Sequence, residues 1–302
     1  MTVNTLLVPT DGSDSAIEAA RRGFDLAEAF GAAVHVLSVA DSTIATGAGY
    51  AGDSASIRAR LRDRATARAA SLRDEAIERG IDATAVTREG IPANEIVTCA
   101  DESGIDAIVL GTAGRGGVAR TVVGSVADKV VRTAPVPVVT IRPEAVANSI
   151  GEDVDSILLP TDGSTTAREA AELGFELAVQ LDATVHLLTV IDSDRSTALS
   201  ETLDADRSDE KSQAGVAEHL EPLASEARER GLEVDVTVRA GRPAEAIVAY
   251  AESNPVDLIA LGTAGRGGFE RFVLGSVADR VIRSAPVPVL TTRPGESAEL
   301  GE

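Results

Sequence analysis

Lysine is nearly missing from this 302-residue chain. Only Lys129 and Lys211 occur, tryptophan is absent, and aromatic residues make up 2% of the total. A core so poor in aromatics must be built from Val, Leu, Ile and Ala. That composition suits a parallel sheet covered on both faces, whose strands read as unbroken aliphatic runs. The single cysteine, Cys99, excludes an intramolecular disulfide and a cysteine-based zinc cage. No His or basic cluster stands beside it in the sequence, which argues against catalytic use. No apolar run approaches the ~18 residues of a membrane span, and Met1–Thr5 carries no basic segment of a secretory leader. The expectation is a soluble, cytoplasmic protein long enough for two ordinary domains.

What the chain has instead is carboxylate. Its formal net charge is -20, with arginine supplying nearly all the positive charge. A surface of this kind resembles those of proteins from salt-loving archaea or bacteria, where concentrated salt screens self-repulsion. Solubility alone is the other reading of an acidic surface. On either reading the charge argues against duplex DNA or an anionic membrane as a partner. Any nucleotide must then be held by local donors working against the overall field.

The chain repeats itself. Thr10-Asp11-Gly12-Ser13 returns as Thr161-Asp162-Gly163-Ser164, Val34-His35-Val36-Leu37 as Val185-His186-Leu187-Leu188, and Gly90-Ile91-Pro92-Ala93 as Gly241-Arg242-Pro243-Ala244. Between 108–142 and 259–293, 25 of 35 aligned residues are identical. A constant offset over a whole unit means duplication of a complete domain rather than a short solenoid period. The composition of Pro143–Asp153 is that of a linker, so we expect domains over 1–145 and 153–295.

Each unit alternates aliphatic runs with longer helical patterns. In the first, strands are predicted at Asn4–Val8, Ala33–Ala40, Ile81–Thr87, Ala107–Gly111 and Val136–Ile141. Helices are predicted at Ser13–Phe30, Ala55–Arg79, Ala93–Ser103 and Gly124–Ala134. Ile17, Ala20, Phe24 and Ala27 recur at three- and four-residue steps, one face of a helix. The β-α-β-α order predicts a doubly wound parallel sheet with right-handed crossovers. The second unit follows the same plan, and its widest departure, Asp192–Gln213, reads as a mobile acidic excursion.

Two loops per unit sit at carboxyl ends of predicted strands. Pro9-Thr10-Asp11-Gly12-Ser13 has a structural reading, with Asp or Ser as a helix cap and Gly as a turn residue, and a functional one, with Asp11 facing a ligand. The second loop is more specific. Gly111-Thr112-Ala113-Gly114-Arg115-Gly116-Gly117 is followed, six residues on, by Gly124-Ser125 opening a helix. Glycines let backbone N–H groups approach an anion, and a helix N-terminus suits phosphate. Arg115 or Arg120 would be in reach of phosphate oxygens. Gly262, Gly265, Gly275 and Ser276 repeat the pattern, with Arg266 after the second glycine.

The spacing Gly-x2-Gly-x9-Gly-Ser resembles the ATP-binding motif of the universal stress protein family, and the likeness extends over nearly the whole of both units. The resemblance implies strand order 3-2-1-4-5, which sets strands one and four side by side at a topological switch point, where open α/β sheets bind ligands. It implies one ATP per domain, with Mg. Pro9, Thr10, Asp11 and Val39 would line the adenosine, as would Pro160, Thr161, Asp162 and Val190. Gly111, Gly114, Gly124 and Ser125 would hold phosphates, as would Gly262, Gly265, Gly275 and Ser276, with Val126 and Val277 also among the nucleotide-binding residues. Family members pair through the last strand. Here Val136–Ile141 and Val287–Thr291 would pair within one chain as a pseudo-dimer, with a further homodimer left open.

No Walker lysine follows the glycines, and neither unit shows paired carboxylates or metal-spaced histidines. His35 and His186 lie in aliphatic strands and read as packed or solvated histidines. The function expected is an ATP-binding stress-response or regulatory module. The alternatives are a slow ATP hydrolase or a phosphoryl or nucleotidyl transferase, and a scaffold with vacant loops. A phosphoryl transferase needs a positioned nucleophile, a base and metal ligands, for which the sequence offers only Asp11 and Ser125.

The charge makes the first testable expectation. If the acidic surface is an adaptation to salt, thermal melts should show a fold that loosens in dilute buffer and tightens in multimolar potassium chloride, where the Debye length falls to ~3 Å. Equal melting temperatures in both would leave the surface as a solubility feature only.

Overall fold

The computed structural model describes residues 3–43, 54–113, 123–143, 145, 154–192, 220–264 and 274–293. The chain divides into two compact units, one ending at Glu152 and the other beginning at Asp153. The polar excursion expected after Asp192 lies outside the described residues.

In the first unit the elements run β1 (Thr5–Pro9), α1 (Asp14–Phe30), β2 (Ala33–Asp41), α2 (Ser54–Glu78), β3 (Ala83–Gly90), α3 (Pro92–Glu102), β4 (Ala107–Gly111), α4 (Ser125–Thr133) and β5 (Val138–Ile141). All strand pairs are parallel, in the order β3-β2-β1-β4-β5. The register sets Pro9 opposite Leu37, Leu7 opposite both His35 and Ile108, and Gly111 opposite Ile141. Leu6, Leu7 and Val8 expose at most 1% of their surface, so β1 is covered on both faces. That is the doubly wound arrangement the aliphatic runs predict.

The helices form where caps and apolar spacing place them. Ser13 caps α1 by accepting from the Ala16 N–H, and Gly31 ends the helix in the left-handed region at φ 64°. The face between them buries Ala16, Ala19, Ala20, Gly23, Phe24, Leu26 and Ala27. Phe24 is fully buried, and the Arg79 guanidinium carbon lies 5.8 Å from its ring centroid. Burying such a ring stabilises the unit by roughly 1.5–3 kcal/mol. Pro92 occupies the first turn of α3, where its missing N–H costs no helical bond.

The second unit repeats the plan as β6 (Ser156–Pro160), α5 (Thr165–Leu181), β7 (Thr184–Asp192), α6 (220–229), β8 (Val234–Gly241), α7 (Pro243–Ser253), β9 (Leu258–Gly262), α8 (Ser276–Ser284) and β10 (Val289–Thr292). Its order is β8-β7-β6-β9-β10, all parallel. Phe175 takes the place of Phe24, with Arg230 5.3 Å above it. Asp182, at φ 55°, takes the place of Gly31.

Two predicted strands begin later than expected. The strand placed at Ile81–Thr87 runs Ala83–Gly90, because Ile81 is spent on the turn out of α2 and gives its N–H to the Ala76 carbonyl. The strand placed at Val136–Ile141 begins at Val138, after Pro137, whose ring nitrogen has no proton for a ladder.

The histidines separate the units. His186 is 7% exposed, and its Nδ1 lies 2.9 Å from the Tyr250 hydroxyl. Position 99 holds cysteine where position 250 holds tyrosine. The Cys99 thiol is fully buried, 3.8 Å from Ser103 Oγ, and His35 Nδ1 is buried with no hydrogen-bond partner among the described residues. Burial pushes the His186 pKa below the usual 6.5, against the pull of Asp235 and Asp257. The folded chain therefore keeps its imidazole neutral to lower pH than the unfolded chain, which takes up a proton as pH falls through about 6.5. The unfolded state then binds more protons, so the second domain should lose stability on acidification below that pH. Burial raises the pKa of Asp257, whose contribution has the opposite sign. Comparing His186→Gln with the native chain isolates the histidine. Melts from pH 7.5 to 5 should fall more steeply for the native protein, and parallel curves would remove His186 as the cause.

Candidate nucleotide site

The order β3-β2-β1-β4-β5 puts β1 beside β4, with β2 and β5 outside them. After β1 the chain turns to α1 on one side, and after β4 the chain leads toward α4. The two glycine-containing loops therefore leave adjacent strands at the carboxyl edge, where a doubly wound sheet opens its crevice.

The loop after β1 is built by its own side chains. The buried Thr10 gives its N–H to the Leu37 carbonyl at 2.8 Å, and its own carbonyl accepts from Ser38 Oγ at 2.9 Å. Thr10 Oγ1 accepts from the Gly12 N–H at 3.1 Å. Asp11 Oδ1 accepts from the Ser13 N–H at 2.9 Å and from Ser13 Oγ at 2.6 Å. Gly12 stands at φ 77°, a conformation that costs glycine nothing. A Cβ there would also lie 2.8 Å from Cδ and Nε of Arg68, whose stem runs over the loop from α2. In the second domain Thr161 bonds Leu188 and Thr189, Gly163 bonds Thr161, and the Ser164 N–H reaches Asp162 Oδ1 at 2.9 Å. Gly163 repeats φ 77°.

The loop after β4 is pinned at both ends. Thr112 gives its N–H to the Ile141 carbonyl at 2.9 Å, and its own carbonyl accepts the Gly124 N–H at 2.7 Å. Thr263 bonds Thr292 and Gly275 at the same two distances. The second of these bonds brings the start of α4 back beside the end of β4, so that Gly111, Gly124, Ser125 and Val126 come together although 13 positions of sequence separate the first two. Gly124 is the N-cap of α4, and among the described residues no side chain caps the helix. The same holds for Gly275 and α8. A helix N-terminus carries unpaired N–H groups and the positive end of the helix dipole, whereas at α1 and α5 the side chains of Ser13 and Ser164 serve as caps.

Gly111 is glycine for contact. A Cβ there would sit 3.1 Å from the Ser15 carbonyl oxygen and 3.3 Å from Ala19 Cβ, so α1 lies directly on the end of β4. At Gly262 the Thr166 carbonyl oxygen would be 2.9 Å away. Pro9, Thr10 and Asp11 are level with this contact on the neighbouring strand. Val39, half-buried, lies two residues beyond Leu37, the partner of Pro9, and Val190 lies two beyond Leu188, the partner of Pro160. Gly114 and Gly265, with Arg115, Arg120 and Arg266, lie outside the described residues.

Three side chains at the site were not singled out by the sequence. Arg68 is one of several arginines along α2, and nothing in their spacing marks it. Ser38 sits inside an aliphatic strand. Ser15 sends its hydroxyl to the Ala113 carbonyl at 2.9 Å, and position 166 holds threonine, so comparing the units does not flag it.

The comparisons with known proteins agree with this architecture. The model of the universal stress protein family matches residues 2–142 and again 154–293. A universal stress protein of Methanocaldococcus jannaschii is 36% identical over 152 residues, covering 49% of this chain and 89% of that protein. One from Mycobacterium tuberculosis is 30% identical over 203 residues, covering 67% of this chain and 66% of that one. The crystal structure of a universal stress protein from Archaeoglobus fulgidus superposes with a TM-score of 0.72 over 97% of both chains, at 22% identity, and shares the fold. With both units matched nearly end to end, the chain belongs to the universal stress protein family and carries two of its domains in tandem.

Proposed function

We propose that each domain binds one ATP, with Mg, and that the protein is a nucleotide-binding regulatory module of the stress response. One observation carries the reading. In both domains a 2.7 Å bond from Gly124 to Thr112, or from Gly275 to Thr263, holds a helix N-terminus, with no side-chain cap among the described residues, against the glycine that ends β4 or β9. Free N–H groups and a helix dipole are what an anion needs in a protein of net charge -20. The Asp11 and Asp162 loops stand on the adjacent strand, on the side assigned to adenosine, with Pro9, Thr10, Val39, Pro160, Thr161 and Val190. Gly111, Gly114, Gly124 and Ser125 take the phosphates in the first domain, and Gly262, Gly265, Gly275 and Ser276 in the second, with Val126 and Val277 beside them in the nucleotide site. Mg, which prefers oxygen ligands, would be held chiefly by phosphate oxygens and water.

We read the site as one for binding rather than turnover because of what Asp11 already does. Its Oδ1 accepts two bonds from Ser13 and so serves the loop as a turn-former. A phosphoryl transferase needs that group free to orient a nucleophile or a metal.

Calorimetry with ATP and Mg should saturate near two nucleotides per chain. Gly114→Val and Gly265→Val should each remove one site, and together both, by putting β-branched bulk where backbone must meet an anion. Loss of two charged hydrogen bonds at about 1.5–3 kcal/mol each corresponds to a weakening of about a hundredfold or more. A folded double variant that binds two ATP with native affinity would overturn the reading.

A further inference from the structure

The densest positive charge in the chain lies on α2. Between positions 58 and 68 the helix carries five arginines, Arg58, Arg60, Arg62, Arg64 and Arg68, against one carboxylate, Asp63. Over the whole chain acidic residues outnumber basic ones by 48 to 28. Most other described arginines are taken up by that excess. Arg21 holds Glu75 at 2.7 Å, Arg132 holds Asp128 at 2.9 Å, and Arg230 holds Glu226 at 2.7 Å. On α2, Arg62 lies 3.5 Å from Glu89 of β3. Arg58, Arg60 and Arg64 are exposed and have no carboxylate partner among the described residues, and Arg60 donates to Ser56 Oγ at 3.5 Å.

Helical phase gathers three of the five side chains. Arg60, Arg64 and Arg68 stand at i, i+4 and i+8, on one face and about 6 Å apart along the axis. Ala67 and Ser71, both exposed, flank the row and are small enough to let a second helix come close. Packing of α2 does not use this face, because the buried side is Ala65, Ala69, Leu72 and Ala76. The row ends where the Arg68 stem crosses Gly12. In the second half of the sequence the same positions, one repeat length on, are Lys211, Gly215 and His219. The row therefore belongs to the first domain and is not a requirement of the fold.

A guanidinium fork fits carboxylate and phosphate alike. Length and surroundings decide between them. Over the roughly 12 Å of the row, duplex nucleic acid would bring about seven charges and then continue across an acidic surface. A short helix with carboxylates four residues apart repeats the same 6 Å step and ends where the row ends.

We propose that the Arg60, Arg64 and Arg68 face of α2 is a docking surface for an acidic helix of a partner protein. The net charge of -20 repels any acidic partner whose carboxylates miss the row, so the same field that weakens general attraction supplies selectivity. The surface does not depend on either glycine loop binding ATP.

The test uses the full chain and a fluorescent alanine-rich peptide of about 20 residues, long enough to be helical, with a glutamate at every fourth position. A control peptide of the same composition spreads its glutamates around the helix. In dilute salt, where charge is least screened, the chain should bind the first peptide about tenfold more tightly than the second. Arg60→Gln with Arg64→Gln keeps good helix formers at exposed positions. The pair should weaken binding about tenfold at an unchanged melting temperature, and Arg60→Lys with Arg64→Lys should retain most of it. Arg168→Gln, at an exposed position of α5, should change nothing. Equal affinity for the two peptides, or native affinity in the folded glutamine variant, would overturn the proposal. Tighter binding of single-stranded polyuridylate than of the peptide, lost in that variant, would overturn it in favour of a nucleic-acid surface. Self-association of the native chain in sedimentation, lost in the same variant, would make a second copy the occupant and overturn it as well.

Discussion

Everything in each domain follows from a sheet whose central strands have no solvent face. Leu6, Leu7 and Val8 on β1, and Ile108 and Val109 on β4, are covered from above and below. A strand in that position offers a polar side chain no water, so the chemistry is driven to the strand ends. Right-handed crossovers then decide which ends meet. The sheet order makes β1 and β4 neighbours, so the glycine-bearing loops that leave them face each other across the crevice.

Burial on both faces also explains where close contacts are tolerated. At Gly111 and Gly262 a helix rests on the last residue of a strand, and the helix backbone takes the space a side chain would fill. The contact fixes α1 against β4, which places a serine of the helix within bonding distance of a carbonyl in the next loop. Packing in the core and geometry at the edge are one structural fact.

Much of this was legible in the sequence because it is written twice. The constant spacing between Thr10-Asp11-Gly12-Ser13 and Thr161-Asp162-Gly163-Ser164 separates positions under shared constraint from those that drift. Aliphatic runs marked β1, β2 and β4 almost to the residue. The strand order came through resemblance, since periodicity does not say which strands pair. What stayed hidden belongs to tertiary contact. The shift of β3 to Ala83–Gly90 reflects pairing with Val34–Asp41, which sets the register from outside the strand. The bond between Gly124 and Thr112 involves only backbone atoms, which leave no trace in composition. Arg68 is picked out from its neighbours on α2 only by the helix phase that brings its stem over Gly12.

Duplication has left the molecule with a difference that serves as an instrument. The chain has one thiol, fully buried at Cys99 between α3 and its sheet, while the matching position in the other half is Tyr250. A thiol reagent reaches Cys99 only when the first domain opens, since attack requires an accessible thiolate. The second domain contributes nothing to that reaction. The rate of modification under native conditions thus reports the opening free energy of one half alone, read without a label in a protein whose halves would otherwise be hard to tell apart.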